Sequence, residues 1–262
     1  MRLNKQKVKG NMYNHKLPEI GNLKSLYFDK KLSNREISRL FNVTPSAVKN
    51  KLNRYNIKLR SLSEGQNLIA NHIHLSKEAV IYLDGLLLGD GSLIFSTNKK
   101  SVSYKHSDKR KEYLVYLRTK LLSFKIESLQ IYKDNRGYFH LQTRSYRELV
   151  ILRKRWYPNN KKSIPQDLIL LPETLKNWYI GDGSLDNKSI SEKVTIANDS
   201  KVINRKNLII AIHNIGIKIS IYENCFYIKK ESRNKFFRYM LMDDNFIPEC
   251  YQYKFPKELI CH

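Results

Sequence analysis

The chain is poor in cysteine, histidine and acid, and each shortage excludes something. Three cysteines, Cys225, Cys250 and Cys261, occur in 262 residues. Their number is odd and their spacing matches no zinc site. A disulfide framework is therefore not expected, and the thiols read as reduced groups of an intracellular protein. The seven histidines are scattered. His72 and His74 form a close pair, but no further His or Cys stands near them to complete a metal site. No apolar run reaches the roughly 18 residues that a membrane span needs, so no membrane partner is expected. The start, Met1-Arg2-Leu3-Asn4-Lys5, is basic but lacks the apolar core of a signal peptide. Acid is the most telling shortage: 24 Asp and Glu face 48 Lys and Arg, a formal charge of +24. Such an excess suits a polyanionic partner, nucleic acid foremost.

What the chain does contain is a repeat. Leu83-Asp84-Gly85-Leu86-Leu87-Leu88-Gly89-Asp90-Gly91-Ser92-Leu93 is one copy. Leu175-Lys176-Asn177-Trp178-Tyr179-Ile180-Gly181-Asp182-Gly183-Ser184-Leu185 is the other. Each is an apolar run long enough for two or three helical turns, closed by a Gly where a helix would stop. Each helix thus delivers a carboxylate, Asp90 or Asp182, at its C-terminal end. The negative end of a helix dipole disfavours an anion, so an acid placed there calls for a cation beside it. The segments closing the halves also match. Lys162, in Lys161-Lys162-Ser163-Ile164-Pro165, follows Asp90 by 72 residues; Lys254, in Tyr253-Lys254-Phe255-Pro256, follows Asp182 by the same interval.

Between these landmarks each half reads as helix, two strands, helix, two strands, helix. The first half predicts strands over Leu93–Ser96, Ser101–Ser107, Ile126–Lys133 and Gly137–Arg144, with helices from Lys109 to Phe124 and Tyr146 to Tyr157. The second predicts strands over Lys193–Ala197, Ile217–Tyr222 and Cys225–Lys229, with helices over Ser200–Asn214 and Ser232–Met242. The stretch from Asp186 to Glu192 reads as loop.

Ahead of the repeat lies a basic region: residues 1 to 76 carry 15 Lys and Arg against 4 Asp and Glu. Residues 1 to 16 read as a basic arm. Residues 18 to 60 predict three short helices. Asn22 is the expected cap of the first. Ser33-Asn34-Arg35-Glu36 is a capping box opening the second, with Ile37, Leu40 and Phe41 as its apolar stripe. Thr44-Pro45 opens the third, with Thr as cap and Pro in the first turn. Asn42 suits the left-handed turn between them. Ser46, Lys49, Asn50 and Asn53 are left facing outward, the layout of a helix-turn-helix reading the major groove. Residues 61 to 76 read as a linker.

The doubled motif, the paired acids and the closing lysines resemble the LAGLIDADG homing endonucleases of the single-chain, two-motif type. The resemblance covers residues 77 to 262 and implies an α+β fold: two pseudo-symmetric αββαββα halves, 77–171 and 172–262, each forming a DNA-binding β-saddle. The N-terminal all-α domain, 1–60, and the linker, 61–76, lie outside that pattern. The family's sixth motif position, often Asp, is Leu88 and Ile180 here. Its second, usually Ala, is Asp84 and Lys176; its third, Gly, is Gly85 but also Asn177. The resemblance implies a metal-dependent DNA endonuclease, initiating mobility of an intron or similar element and acting as a monomer; an intracellular location is expected, in a bacterial or phage-infected cytoplasm rather than an organelle. Asp90 and Asp182 would meet at the helix ends as metal ligands, with the backbones of Gly89 and Gly181 as further candidates. Lys162 and Lys254 would assist as catalytic residues. Oxygen ligands favour Mg²⁺, with Mn²⁺ able to substitute.

Base reading would fall to the sheets, since a two-stranded ribbon fits the major groove and strand residues alternate faces. Gln130, Tyr132, His140, Gln142 and Arg144 share one parity, opposite to Leu129, Ile131, Phe139 and Leu141; Ser101, Ser103 and Lys105 share the open parity of the earlier strand. In the second half Lys193, Thr195, Lys218, Ser220, Tyr222, Tyr227 and Lys229 form the polar face. Two unlike sheets predict a long, non-palindromic double-stranded DNA site. Two alternatives remain open on the same scaffold: a non-cleaving DNA-binding regulator, and a maturase that binds the host intron RNA.

Overall fold

In the computed structural model, which describes residues 17–61, 73–97, 99–186 and 192–260, the chain divides into two units, Met1–Ile69 and Ala70–His262. The expected basic arm, most of the linker including His72, and Cys261 lie outside the described residues, as does most of the loop predicted between Asp186 and Glu192.

The first unit owes its shape to its caps. Helix α1 (Ile20–Lys24) runs on into a π-turn over Ser25–Asp29. Helix α2 (Asn34–Leu40) starts at the Ser33–Glu36 capping box, in which each side chain meets the other's backbone N–H. Helix α3 (Pro45–Arg54) starts at Thr44, whose hydroxyl accepts the Ala47 N–H, 3.2 Å away. Asn42 bridges them in the left-handed conformation, φ 48°. Leu23, Tyr27, Ile37, Val48, Leu52 and Ile57 form the core. Two expectations are corrected. Asn22 lies inside α1, and Glu19 holds the capping position. Leu40 is 63% exposed, because Ile37 and Phe41, one turn apart, take the inward stripe and rotate it outward.

In the second unit the repeat becomes architecture. The first half consists of α4 (Lys77–Leu88), β1 (Ser92–Phe95), β2 (Val102–Asp108), α5 (Lys111–Ser123), β3 (Tyr132–Lys133), β4 (Phe139–Gln142) and α6 (Leu149–Trp156). The second consists of α7 (Pro172–Asp182), β5 (Gly183–Asp186), β6 (Lys193–Ala197), α8 (Arg205–Asn214), β7 (Ile219–Ile221), β8 (Cys225–Ile228) and α9 (Arg233–Met240). The two antiparallel sheets have the same order, β1-β2-β4-β3 and β5-β6-β8-β7. This is the expected mixed α and β fold, with one core running through both halves. Among the described residues no helix is long and apolar enough to cross a membrane.

Two departures from the predicted elements have local causes. Strand β3 is short because its register slips. Tyr132 pairs with His140, but Ser128 bridges Thr143, one residue out of step. The slip reverses the alternation of side chains, and Leu129 turns outward, 49% exposed. Helix α8 starts at Arg205 rather than Ser200, because Asn204 is left-handed at φ 60° and Ile203 bridges Ser163 of the first half.

Candidate active site

Helices α4 and α7 pack against each other in the second unit. Gly85 allows a close approach: a Cβ there would lie 2.6 Å from the Thr174 carbonyl oxygen and 2.9 Å from the Asn177 Cβ. Thr174 donates its hydroxyl to the Ile81 carbonyl, 3.2 Å away. Close contact persists to the helix ends. A Cβ on Gly89 would sit 3.7 Å from the Gly181 Cα and 3.9 Å from the Asp182 carboxylate; one on Gly181 would sit 3.9 Å from Asp90 Oδ2. The two motif acids are therefore brought together, each next to the other helix's terminal glycine.

Their surroundings differ. Asp90 is exposed, whereas Asp182 is half-buried and accepts the Trp178 indole N–H at 3.2 Å. Burial pushes the Asp182 pKa up to about 7, and the Asp90 charge pushes the same way, against Lys162, Trp178 and Lys254. An acid held at this pKa by burial and a neighbouring acid is a site short of positive charge. The donors are oxygens, which suits a hard divalent ion.

Each lysine reaches the helix end of its own half. Lys162 donates to the carbonyls of Gly89 (2.9 Å) and Gly91 (3.3 Å). Lys254 donates to those of Ile180 (2.6 Å) and Gly181 (3.0 Å). They satisfy carbonyls that the helix leaves unpaired, at its negative end. One lone pair each on the Gly89 and Gly181 oxygens is thus taken by an ammonium. Burial lowers the pKa of both lysines, that of Lys254 to about 8, opposed in each case first by the Asp182 charge. Among the described residues no group of three or more His, Cys, Asp or Glu could hold a metal; the site offers two carboxylates.

The closing segments are exchanged between the halves. Ser163 and Ile164 meet Ile203, Asn204 and Asn207 of the second half. Tyr251 donates its hydroxyl to Asp108 of the first half. Sequence reasoning missed Trp178 and Tyr251. Trp178 stands one helical turn before Asp182, so the i, i+4 spacing was a usable signal. Nothing in the sequence marked the pairing of Tyr251 with Asp108.

The proposed base-reading residues are mostly open to solvent. Ser46, Lys49, Asn50 and Asn53 are all exposed on α3. In the first sheet Gln130, Tyr132 and Arg144 are exposed, and Lys105, His140 and Gln142 partly so. His140 is held on both sides, by Ser107 at 2.7 Å and Asp134 at 3.1 Å, and stacks on Tyr132. Arg144 pairs with Glu127 at 2.8 Å. Ser103 is a correction: it has the predicted parity but is 3% exposed, in the middle of the sheet, with Gln142 donating to it at 3.4 Å. Ser101 is likewise buried, bonded to Ser96. In the second sheet Lys193, Lys218, Tyr222 and Lys229 are exposed, and Thr195, Ser220 and Tyr227 partly so. Thr195, Tyr227 and Ser220 lie side by side across three strands.

Residues 80–237 match the model of the LAGLIDADG DNA endonuclease family. The chain belongs to that family. It is 26% identical over 248 residues to an uncharacterised protein of Methanocaldococcus jannaschii, MJ1098, covering 87% of this chain and 92% of that one. Its fold is similar to that of the homing endonuclease I-WcaI, solved bound to its DNA recognition sequence: TM-score 0.55, 20% identity, 69% of this chain and 86% of that one. A weaker likeness is to I-DmoI, solved with DNA and Ca (TM-score 0.46, 18% identity, 69% and 94%).

Proposed function

We propose that this protein is a site-specific homing endonuclease that cuts both strands of a long, asymmetric DNA site, using Mg²⁺ or, in its place, Mn²⁺. The observation that carries the reading is the meeting of Asp90 and Asp182 at the ends of two packed helices, each with a lysine on the neighbouring carbonyls. A divalent ion bound there would neutralise phosphate charge and lower the pKa of an attacking water. Asp90 and Asp182 are the residues that would hold it. Lys162 and Lys254 keep positive charge beside them, where it opposes the negative charge that builds up at phosphorus in the transition state. With both acids in one chain, a monomer suffices for two cuts. The unlike open faces of the two sheets would read unlike half-sites, and α3, with Ser46, Lys49, Asn50 and Asn53 exposed, would act as the recognition helix of a helix-turn-helix. The role would be to start the mobility of an intron or similar element within a cell.

The test is to incubate purified protein with a library of random or genomic DNA and Mg²⁺ and to sequence the ends. Paired cuts at one long site, lost by at least about a hundredfold in Asp90→Asn and in Asp182→Asn while binding persists, are expected. Enrichment of bound sites with no cutting in Mg²⁺ or Mn²⁺ would instead mark a DNA-binding regulator or a maturase.

A further inference from the structure

Lys254 does not stand alone. Its carbonyl accepts the Tyr179 hydroxyl at 2.8 Å, and its ammonium lies 4.9 Å from the centroid of the Tyr251 ring, three residues back on the same 3₁₀ turn, Glu249–Lys254. A cation at that distance over an aromatic face is attracted by the ring's quadrupole, the more so out of water, and both side chains are buried. The ring is itself tied down from the other half. The Tyr251 hydroxyl bonds the buried Asp108 carboxylate at the end of β2. Asp108 is steadied by the Arg110 N–H at 2.7 Å. The Arg110 guanidinium lies 4.7 Å from the Tyr251 centroid, and Tyr113 meets the ring edge-on at 4.9 Å.

Among the described residues the first half has no matching aromatic contact on its lysine. The residue three before Lys162 is Asn159, exposed and left-handed at φ 53°. Strand register makes Asn198 the counterpart of Asp108. Asn198 is engaged by Arg205 within its own half, at 2.7 Å.

We propose that Tyr251, anchored across the halves by Asp108, is a positioning residue for Lys254, so that the strand cut Lys254 serves depends on this aromatic tether and the cut Lys162 serves does not. The inference rests on the endonuclease reading. Aromatic contact and tether together confine a long, flexible side chain, and small displacements of a charged group near the reacting phosphate are costly in rate.

The experiment measures the rate of each strand's cutting on supercoiled plasmid carrying the site recovered by end sequencing, in Mg²⁺. Lys254→Met identifies the strand that Lys254 serves, and Lys162→Met the other. Tyr251→Leu is expected to slow the Lys254 strand roughly tenfold, leaving the other within about twofold, so that nicked circles accumulate. Tyr251→Phe keeps the ring and loses the tether; it should slow the same strand by about threefold with the fold intact. Asp108→Asn, which can still accept the hydroxyl, should restore most of the rate that Asp108→Leu loses. Equal slowing of both strands, slowing of the Lys162 strand, or no change in any of these variants overturns the proposal. If end sequencing of DNA treated with the unmodified protein recovers no cut site, the endonuclease reading fails, and this inference with it.

Discussion

The two halves repeat their chemistry and not their wiring. Both present an acid at the end of a motif helix, a lysine on the backbone carbonyls beside it, and a closing segment lent to the other half. The second motif position is buried in both copies but opposite in charge. Asp84 accepts Arg155 at 2.7 Å and the Trp156 indole at 2.7 Å. Lys176 meets Glu173 at 3.0 Å and Asp244 at 3.3 Å. One position later Gly85 faces Asn177 across the helix contact. Beneath the sheets, register pairs Tyr104 and His106 with Val194 and Ile196, a polar pair against an apolar one. What a duplicated fold must keep is therefore the geometry of its helix ends. The means of holding each helix in place can diverge, since the buried Asp84 and the buried Lys176 each find partners of opposite charge.

The charge-swapped position offers the largest test of that view. Asp84→Ala strands the buried Trp156 N–H and leaves Arg155 with Asp167 alone, 2.8 Å away, and is expected to cost about 3 kcal/mol. Lys176→Met keeps the volume, and its partners Glu173 and Asp244 are 23% and 32% exposed and can turn to water; it is expected to stay within about 1 kcal/mol of the unmodified protein. Urea midpoints compare the two, and equal losses would break the comparison. Gly85→Ala comes next. Its methyl would meet backbone at 2.6 Å, and parting the helices should cost about 2–3 kcal/mol. Asn177→Ala, opposite, removes one bond to Glu173 at 3.1 Å and should cost about 1 kcal/mol.

The charge of Asp182 bears on stability directly. Asp182 has its folded pKa raised from 3.8 to about 7. The folded protein thus holds a proton that the unfolded chain has released. The stability this provides is present below about pH 4 and is lost as pH rises through about 7. Asp182→Asn is expected to raise stability at pH 8, in chelator, by about 2 kcal/mol, less than the full shift implies because the group is partly open to solvent. The gain should vanish near pH 4. Thermal melts at the two pH values decide it, and a variant no more stable at pH 8 would remove the case for a site short of positive charge.

Much of this was legible beforehand because it is local. The capping box at Ser33, the Thr44–Pro45 start and the doubled Gly-Asp-Gly depend on spacing along one helix, and the equal intervals from acid to lysine expose the duplication directly. Strand parity located most of the open faces for the same reason. What escaped was set by tertiary context. The slip between Ser128 and Tyr132 turned Leu129 outward, the density of side chains on a central strand buried Ser103, and the crossing of Tyr251 to Asp108 spans 143 residues of sequence. None of these has a period or an interval to be read.

The smallest test concerns the polar pair under the first sheet. The His106 ring is buried; its Nδ1 shares a hydrogen bond with the Tyr104 hydroxyl at 2.8 Å, and its Nε2 has no hydrogen-bond partner among the described residues. Burial lowers its pKa from 6.5 to about 4, against the pull of Asp90 and Asp108 and with help from Lys162. Below pH 6.5 the unfolded chain takes up a proton that the folded protein refuses until about pH 4, so the stability from a neutral His106 is full above pH 6.5 and falls away toward pH 4. His106→Ile, paired with Tyr104→Val so that no hydroxyl is stranded, copies the second half. Between pH 7.5 and 6 the unmodified protein should lose about 1 kcal/mol more than this variant. The difference should grow toward pH 4.5, and Asp90→Asn should enlarge it by removing the charge that favours protonation. Parallel pH profiles would show that His106 titrates in the folded protein as it does in the unfolded one, and the two sheets would then rest on electrostatically equivalent cores.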